Sequence, residues 1–219
     1  MAFALDEPDG LLAWGGDLSP TRLLNAYRQG IFPWFSEGDP ILWWSPARRC
    51  VIPSDAVYRS RRLERLLRQE PFTLTADTAF DAVVASCGRT RGDTWITEAM
   101  ARAYGVLHEL GHAHSIEAWQ GDHLVGGLYG VSIGRMFFGE SMFSGVSNAS
   151  KVILVRLGEV LQHWGYPWID GQVASEHLLR QGAIMMDRET FTARVDELCR
   201  QPGITGPWTR RFREALQQT

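Results

Sequence analysis

Residues 113–138 read AHSIEAWQGDHLVGGLYGVSIGRMFF, and this stretch decides the fold. Two apolar runs, Ala113 to Trp119 and His123 to Val131, are separated by the turn signal Gln120-Gly121-Asp122. Two such runs joined by a glycine-containing turn predict a β-hairpin. A third strand is predicted at Arg135 to Phe138. The middle of the chain is therefore expected to be an antiparallel sheet.

Helices and strands alternate on both sides of this hairpin. The predicted elements are a strand at Phe72 to Thr75, a helix from Thr97 to Gly111, a helix from Ser147 or Asn148 to Gly165, a strand at Pro167 to Ile169, a helix at Ser175 to Gln181, a strand at Ala183 to Met186 and a helix at Arg188 to Cys199. A hairpin followed by strand, helix and strand is compatible with a mixed α/β fold of the α+β, acyltransferase-like type.

The amino-terminal part has a different texture. Residues 10–48 consist of short segments rich in turns and aromatic residues, and they hold four of the nine tryptophans. Ser19 followed by Pro20 predicts a helix that runs to about Gln29 and ends at Gly30. We therefore expect a small lid-like unit at residues 1–48 and a larger domain at residues 49–219.

Two acidic residues stand directly beside apolar runs. Glu140 lies within FFGESMFS at residues 137–144, and Asp170 follows Ile169 and precedes Gly171 and Gln172. A buried carboxylate is costly unless it is paired, so such residues belong either to functional sites or to structural ion pairs. At the level of the residues alone, both readings stay open.

Composition excludes several classes of protein. The chain has 219 residues, 45% of them hydrophobic, which is enough for one sizeable core, and a net charge of −3. Three widely spaced cysteines argue against a disulfide framework and fit a reducing cytoplasm. The start of the chain has no secretory pattern, and no apolar run approaches the ~20 residues of a spanning helix, so no membrane role is expected.

One basic segment stands out against the acidic net charge. A helix at about residues 58–69 would present arginines on one face and Leu63, Leu66 and Leu67 on the other. The arginines are Arg59, Arg61, Arg62, Arg65 and Arg68. A solvated charged face is the alternative, but five arginines without a lysine favour a surface that binds phosphates.

The sequence His108-Glu109-Leu110-Gly111-His112 matches the H-E-x-x-H pattern of zinc metalloproteases. That chemistry requires both histidines on one face of a continuous helix, yet Gly111 is a natural helix terminator inside the motif. We expect no metal here and interpret the histidines as structural groups at a helix C-terminus.

Taken together, the motifs resemble one family. They are GGDLSP at 15–20, GIFPWF at 30–35, WWSP at 43–46, TWIT at 94–97, the histidine segment at 108–114, GESMF at 139–143 and IDGQ at 169–172. In this order, over about Gly10 to Val195, they resemble the leucyl/phenylalanyl-tRNA–protein transferases. The resemblance implies a small amino-terminal domain joined to a GNAT acyltransferase-like domain. It also implies transfer of leucine or phenylalanine, and also methionine, from aminoacyl-tRNA to proteins with N-terminal Arg or Lys, which marks them for N-degron degradation.

The same resemblance implies roles for individual residues. Asp170 and Gln172 match the catalytic acid and amide, and Glu140 matches the residue that recognises the basic acceptor. The remaining matches are Leu128, Met142 and Phe143 for the aminoacyl pocket, Trp34, Trp95 and Tyr104 for the 3′-terminal adenosine of tRNA, and the arginine helix for the tRNA body. Leu128 replaces a methionine of the family's pattern. No cofactor is required, and a monomer suffices for the reaction.

Three other functions compete with this one. An acetyl-CoA-dependent acyltransferase would share the fold, but no evident pyrophosphate-binding loop precedes a helix. A zinc hydrolase would use His108 and His112. A tRNA-binding module without catalysis would keep the arginine helix and need no Asp170.

Overall fold

The computed structural model describes residues 4–89 and 96–219. Over these residues the chain forms ten strands and eight helices. The strands are β1 (Leu11–Trp14), β2 (Phe32–Pro33), β3 (Leu42–Trp44), β4 (Arg48–Pro53), β5 (Thr73–Ala76), β6 (Ala113–Gln120), β7 (His123–Ile133), β8 (Met136–Ser144), β9 (Trp168–Gln172) and β10 (Ile184–Asp187). The helices are α1 (Pro20–Arg28), α2 (Arg61–Arg68), α3 (Phe80–Arg89), α4 (Glu98–Glu109), α5 (Ala149–His163), α6 (Glu176–Arg180), α7 (Arg188–Cys199) and α8 (Thr209–Leu216).

The strands form two sheets. The larger sheet has the order β10-β4-β9-β8-β7-β6-β5, and the smaller has the order β1-β3-β2. The predicted hairpin is β6 with β7, paired from Ala113–Val131 to Gln120–His123. In the larger sheet only β8 and β9 are parallel, and α5 connects them. The predicted order of hairpin and strand–helix–strand unit is confirmed.

Local capping signals set most helix ends where the sequence predicts them. The Ser19 side chain accepts from the backbone N–H of Arg22, and Pro20 opens α1. The Thr97 hydroxyl accepts from the N–H of Met100 at the start of α4. Beyond the ends of these helices, Gly30 and Gly111 have φ angles of +71° and +77°, which glycine adopts without strain.

Two predicted strand ends are wrong. β8 continues past Phe138 to Ser144, and β9 continues past Ile169 to Gln172. Polar residues interrupt the apolar pattern in both places, but their side chains find partners elsewhere in the fold, so the strands continue. Glu140, Asp170 and Gln172 thus lie on strands rather than after them.

Each face of the larger sheet covers its own hydrophobic core. One core lies under α1, α3, α4 and α7 and includes Tyr27, Tyr104 and Phe138. The other lies under α2, α5 and α8 and includes Leu128, Phe137 and Trp208. Tyr27 comes from the amino-terminal part, so that part shares a core with the rest. The predicted boundary between residues 48 and 49 stays a prediction.

The end of the chain is attached to the sheet through one acid. The Asp77 carboxylate accepts from the backbone N–H of Trp208 (2.7 Å) and of Ser115 (3.0 Å), and from His114 Nδ1 (2.9 Å). The Trp208 ring, fully buried, stacks on His114 with centroids 4.0 Å apart. Helix α8 is thereby fixed against the larger sheet. Within residues 4–89 and 96–219, none of the helices is long and apolar enough to cross a membrane.

Candidate active site

The site lies where two neighbouring strands stop pairing. Described pairs between β8 and β9 end at Phe138 with Asp170. Just beyond this point each strand carries an extra residue relative to its other neighbour. Glu140 is extra between Gly139 and Ser141 opposite β7, and Gly171 is extra between Asp170 and Gln172 opposite β4. Such β-bulges redirect side chains and are common beside active sites.

Glu140 is a buried carboxylate held by neutral donors. It is 9% exposed; its Oε1 accepts from Tyr27 Oη (2.7 Å) and Gln172 Nε2 (2.9 Å), and its Oε2 accepts from Tyr104 Oη (2.8 Å). Among the residues that the structure describes, no Arg or Lys forms an ion pair with it. Burial raises the pKa of Glu140 to about 7, although the tyrosine hydroxyls oppose this shift.

The two tyrosines form a fixed donor pair under Glu140. Their hydroxyl oxygens are 2.5 Å apart, and both side chains are fully buried. Burial and the neighbouring Glu140 raise the pKa of both tyrosines well above 10. They therefore stay protonated near neutral pH and remain hydrogen-bond donors.

Asp170, in contrast, is paired with an arginine. Arg49 Nε donates to its Oδ1 (2.8 Å) and Arg49 Nη2 to its Oδ2 (2.6 Å), and both side chains are at most 1% exposed. The geometry is the bidentate one that guanidinium and carboxylate favour. The Gln172 backbone N–H also donates to Oδ1 (2.9 Å). Asp170 is thus a fixed internal charge.

Gln172 joins the two acids. Its backbone N–H donates to Asp170, and its side-chain amide nitrogen donates to Glu140. Its φ angle is +61°, in the left-handed region that non-glycine residues rarely adopt and that is often found at functional sites. With the amide nitrogen on Glu140, no donor from the described part of the chain contacts the amide oxygen. That oxygen is available to a substrate.

A cavity of about 540 Å³ opens at these residues. Leu128 and Met142 are direct partners across β7 and β8, so their side chains share one face, and both line the cavity. Further lining residues include Ile52, Leu154, Ile169, Glu140 and Gln172. The cavity combines apolar walls with a small polar group, as small-molecule sites usually do.

The other predicted pocket residues are placed differently. Trp34 lines the cavity and is 43% exposed, with its ring 5.7 Å from that of Trp44. Phe143 belongs to the core on the opposite side of the sheet, where its ring is close to Gly127. It does not line the cavity, because alternate residues of a strand point to opposite faces.

Tyr104 has no exposed surface and supports Glu140, so it offers no face to an adenine ring. Trp95 lies outside the described residues.

The predicted arginine helix is α2. Ser60 caps it, Leu63 and Leu67 are buried, and its four arginines are exposed: Arg61, Arg62, Arg65 and Arg68. None of these four has an ion-pair partner within the described ranges. Arg59 precedes the helix and pairs with Glu159 at 2.8 Å, so its charge is already partly compensated.

The histidine motif is broken as the sequence indicates. α4 ends at Glu109 with Leu110 as its cap, so His112 lies beyond the helix that carries His108. His108 Nδ1 is 2.8 Å from the carbonyl oxygen of Ala113, and its ring stacks on Phe80. Over the described residues, no group of three or more His, Cys, Asp or Glu side chains could hold a metal ion.

Sequence reasoning missed Arg49 and Tyr27. Arg49 lies in the strand sequence Arg48-Arg49-Cys50-Val51-Ile52, where an arginine beside three apolar residues signals a buried charge that needs a carboxylate. Tyr27 lies on the buried face of α1 with Leu23 and Leu24 and looks like an ordinary core residue. Nothing in its local sequence indicates the hydrogen bond to Glu140.

Comparison with known proteins gives consistent results. A family model described as leucyl/phenylalanyl-tRNA protein transferase matches residues 51–196, and one described as its N-terminal domain matches residues 16–47. The chain is 53% identical over 205 residues to a leucyl/phenylalanyl-tRNA–protein transferase of Nitratidesulfovibrio vulgaris (strain DP4), covering 92% of this chain and 88% of the relative. It is also 53% identical over 215 residues to one from Xanthomonas campestris pv. campestris (strain B100), covering 96% of this chain and 86% of the relative.

Among solved structures, the crystal structure of FemX is similar with a TM-score of 0.50 at 11% identity. The similarity covers 77% of this chain and 67% of that one. At this identity the likeness concerns the fold alone. The predicted mixed α/β, GNAT acyltransferase-like fold is confirmed.

Proposed function

The chain belongs to the leucyl/phenylalanyl-tRNA–protein transferase family and is an aminoacyltransferase, and from this premise we propose its substrates and the roles of its residues. The donor is leucyl- or phenylalanyl-tRNA, with methionyl-tRNA as a further donor. The acceptor is a protein with N-terminal Arg or Lys. The product is a protein lengthened by one residue, which enters N-degron degradation in the cytoplasm.

The reaction exchanges an ester for an amide. The α-amine nitrogen of the acceptor bonds to the ester carbonyl carbon, the bond from that carbon to the ribose oxygen breaks, and a proton passes from nitrogen to the ribose oxygen. The protein must hold two substrates together and direct one proton. An α-amine has an ordinary pKa of about 7.7–8.0, so a neutral, nucleophilic fraction exists at pH 7.

The apolar part of the cavity suits the donor side chain. Leu128 and Met142 present adjacent flexible side chains on one face, beside Leu154 and Ile169. Such walls accept unbranched or γ-branched apolar groups and discriminate weakly between them. We assign this wall to the leucine, phenylalanine or methionine side chain.

Glu140 is assigned to the positive charge of the acceptor. It borders the cavity and has no ion-pair partner in the part of the chain described. Its raised pKa of about 7 means that an arriving cation would stabilise the ionised form, which burial otherwise disfavours. A neutral residue at the acceptor's first position would leave this carboxylate uncompensated.

Gln172 is assigned to the attacking amine. Its free amide oxygen can accept one N–H of the α-amine and so direct the nitrogen lone pair at the ester. Both Asp170 oxygens already accept hydrogen bonds from Arg49. We therefore assign to Asp170 the role of holding and polarising Gln172 through its backbone N–H. The proton of the amine then passes to the ribose oxygen, either directly or through a water molecule.

The tRNA itself is assigned to two exposed features. Trp34 offers a half-exposed indole beside the cavity for stacking on the terminal adenine, a contact worth about 1–3 kcal/mol per base. The exposed arginines of α2 are assigned to phosphates of the tRNA body.

One observation carries this proposal. The amide nitrogen of Gln172 donates to Glu140, and its amide oxygen accepts from no donor of the described residues. Both lie at a cavity whose apolar wall includes Leu128 and Met142. The cavity thereby offers separate places for an apolar side chain, a cation and an amine.

A transfer assay tests the proposal. Purified protein, leucyl-tRNA with labelled leucine, and four peptides that differ only in their first residue would be combined. We expect labelled peptides when the first residue is Arg or Lys and none when it is Asp or Glu. Labelling of the acidic peptides instead would contradict the acceptor assignment. Replacing leucyl-tRNA by phenylalanyl- and methionyl-tRNA then ranks the donors.

A further inference from the structure

Arg49 is a buried cation whose guanidinium contacts a carboxylate, a backbone carbonyl oxygen and two aromatic rings. It lies on β4 and is 1% exposed. Its Nε and Nη2 bind Asp170, and its Nη1 donates to the carbonyl oxygen of Gly30 at 3.1 Å. All three nitrogens of the guanidinium are therefore engaged.

Two aromatic rings fix the plane of the guanidinium. The Arg49 Cζ lies 4.6 Å from the centroid of Phe32 and 4.7 Å from that of Phe191. A planar cation between two rings gains cation–π energy and loses freedom to rotate. A lysine ammonium has neither the plane nor the fork, so it cannot reproduce this arrangement.

The position of Gln172 depends on Arg49 indirectly, through the carboxylate of Asp170. Asp170 Oδ1 accepts from Arg49 Nε and from the Gln172 backbone N–H together. That N–H belongs to a residue in the left-handed region, which persists only when the surrounding structure enforces it. If the carboxylate moves, the backbone of Gln172 loses its anchor and its side-chain amide loses its direction.

Arg49 also joins separate parts of the chain. Gly30 and Phe32 belong to the amino-terminal part, Phe191 to α7 and Asp170 to β9. Phe32 itself lines the cavity. The same guanidinium therefore sets the amino-terminal wall of the cavity relative to the strand that carries Gln172.

We propose that Arg49 is a positioning residue for the transfer reaction: it fixes the Asp170 carboxylate, and through it the left-handed backbone and the amide direction of Gln172. This inference rests on the proposed function. It differs from a purely structural ion pair, whose loss lowers stability but leaves the rate of the folded protein unchanged.

The variant Arg49→Lys keeps the charge and removes the fork. We expect its kcat for transfer to fall by about 10²-fold, the effect of misplacing a reacting group by about 1 Å, while the KM for leucyl-tRNA stays close to that of the wild type. Arg48→Lys is the matched control, because Arg48 is the exposed neighbour on the same strand. It should leave kcat unchanged.

A second readout needs no tRNA. The side-chain amide signal of Gln172 in an NMR spectrum, identified by its loss in Gln172→Glu, should shift in Arg49→Lys and not in Arg48→Lys. Should Arg49→Lys not fold, Phe191→Leu removes one ring and keeps the ion pair. It should shift the same signal and lower kcat several-fold without raising KM.

The outcomes separate cleanly. A lower unfolding temperature with unchanged kcat and an unchanged Gln172 signal overturns the inference. A fall in kcat with a shifted signal in the Arg49 or Phe191 variant, and neither in the control, supports it. Absence of any transfer by the wild-type protein overturns the proposed function, and the Gln172 signal distinguishes that failure because it is read without substrate.

Discussion

Two buried carboxylates, Asp170 and Glu140, lie at the end of the β8–β9 pairing and are both bound by Gln172, but their other partners differ in kind. Asp170 is fully buried against an arginine that uses both of its oxygens. Glu140 is almost as buried, yet it is held by two tyrosines and an amide. The first charge is compensated within the fold. The second has no ion-pair partner among the described residues, and in the proposed function the acceptor supplies the cation. The difference shows that burial alone does not assign a role; the kind of partner does.

The largest effect is expected from breaking the compensated pair. Asp170→Asn keeps the shape and removes the charge, so Arg49 becomes a buried cation without a partner. Removing one partner of a buried pair costs about 3–5 kcal/mol. We expect a loss of this size in the free energy of unfolding, measured with urea, and no detectable transfer.

Asp196→Asn is the control for that variant, since Asp196 and its partner Arg200 are exposed. The free energy of unfolding of this variant should fall by only about 0–1 kcal/mol, the usual range for a surface ion pair. Equal losses in the two variants would show that Asp170 is not the compensated charge described above.

A smaller effect is expected at Glu140, the carboxylate without an ion-pair partner in the described part of the chain. Glu140→Gln preserves size and removes the charge offered to the acceptor. A hydrogen bond to a charged group is worth about 1.5–3 kcal/mol, so kcat/KM for an Arg-initiated peptide should fall about 10- to 100-fold. The KM for leucyl-tRNA should stay close to the wild-type value. A larger change in that KM than in the peptide's would place Glu140 on the donor side instead.

The last expected effect concerns how the stability of the folded protein depends on pH. The pKa of Glu140 is about 7 in the folded protein against an ordinary 4.5, so between these values the folded protein binds more protons than the unfolded chain. Its contribution to stability therefore falls as pH rises from about 4.5 to about 7. Glutamine does not titrate.

Urea unfolding at pH 5 and pH 8 would measure this effect. The stability of Glu140→Gln relative to the wild type should increase between the two pH values by about 2–3 kcal/mol. A difference between variant and wild type that does not change with pH would mean that Glu140 ionises as easily in the folded protein as in water.

The sequence predicts local features of the fold better than it predicts the site. Ser19, Thr97, Gly30 and Gly111 act through neighbours in the sequence, so their helix ends could be read directly. The strand ends at Phe138 and Ile169 were wrong because the residues that follow are polar. They are buried only because Tyr27, Tyr104 and Arg49, distant in sequence, supply their partners.

The two bulges escaped prediction for a related reason. A bulge is a mismatch between two strands, so it exists only once the pairing partner is known. In the sequence nothing marks Glu140 or Gly171, rather than a neighbouring residue, as the extra residue of a strand pair. The resemblance to a family predicts Glu140 and Asp170 as the acids of the site, and that role stays a prediction; their different environments are visible only in the structure.

The attachment of the carboxy-terminal helix has a consequence for how the protein is made. The Trp208 ring covers His114 on β6, and the Trp208 backbone N–H donates to Asp77. During synthesis the central strands leave the ribosome long before Trp208 does. His114 and Asp77 therefore stay uncovered until Trp208 and α8 emerge. A nascent chain that has not yet reached Trp208 therefore presents an unfinished core.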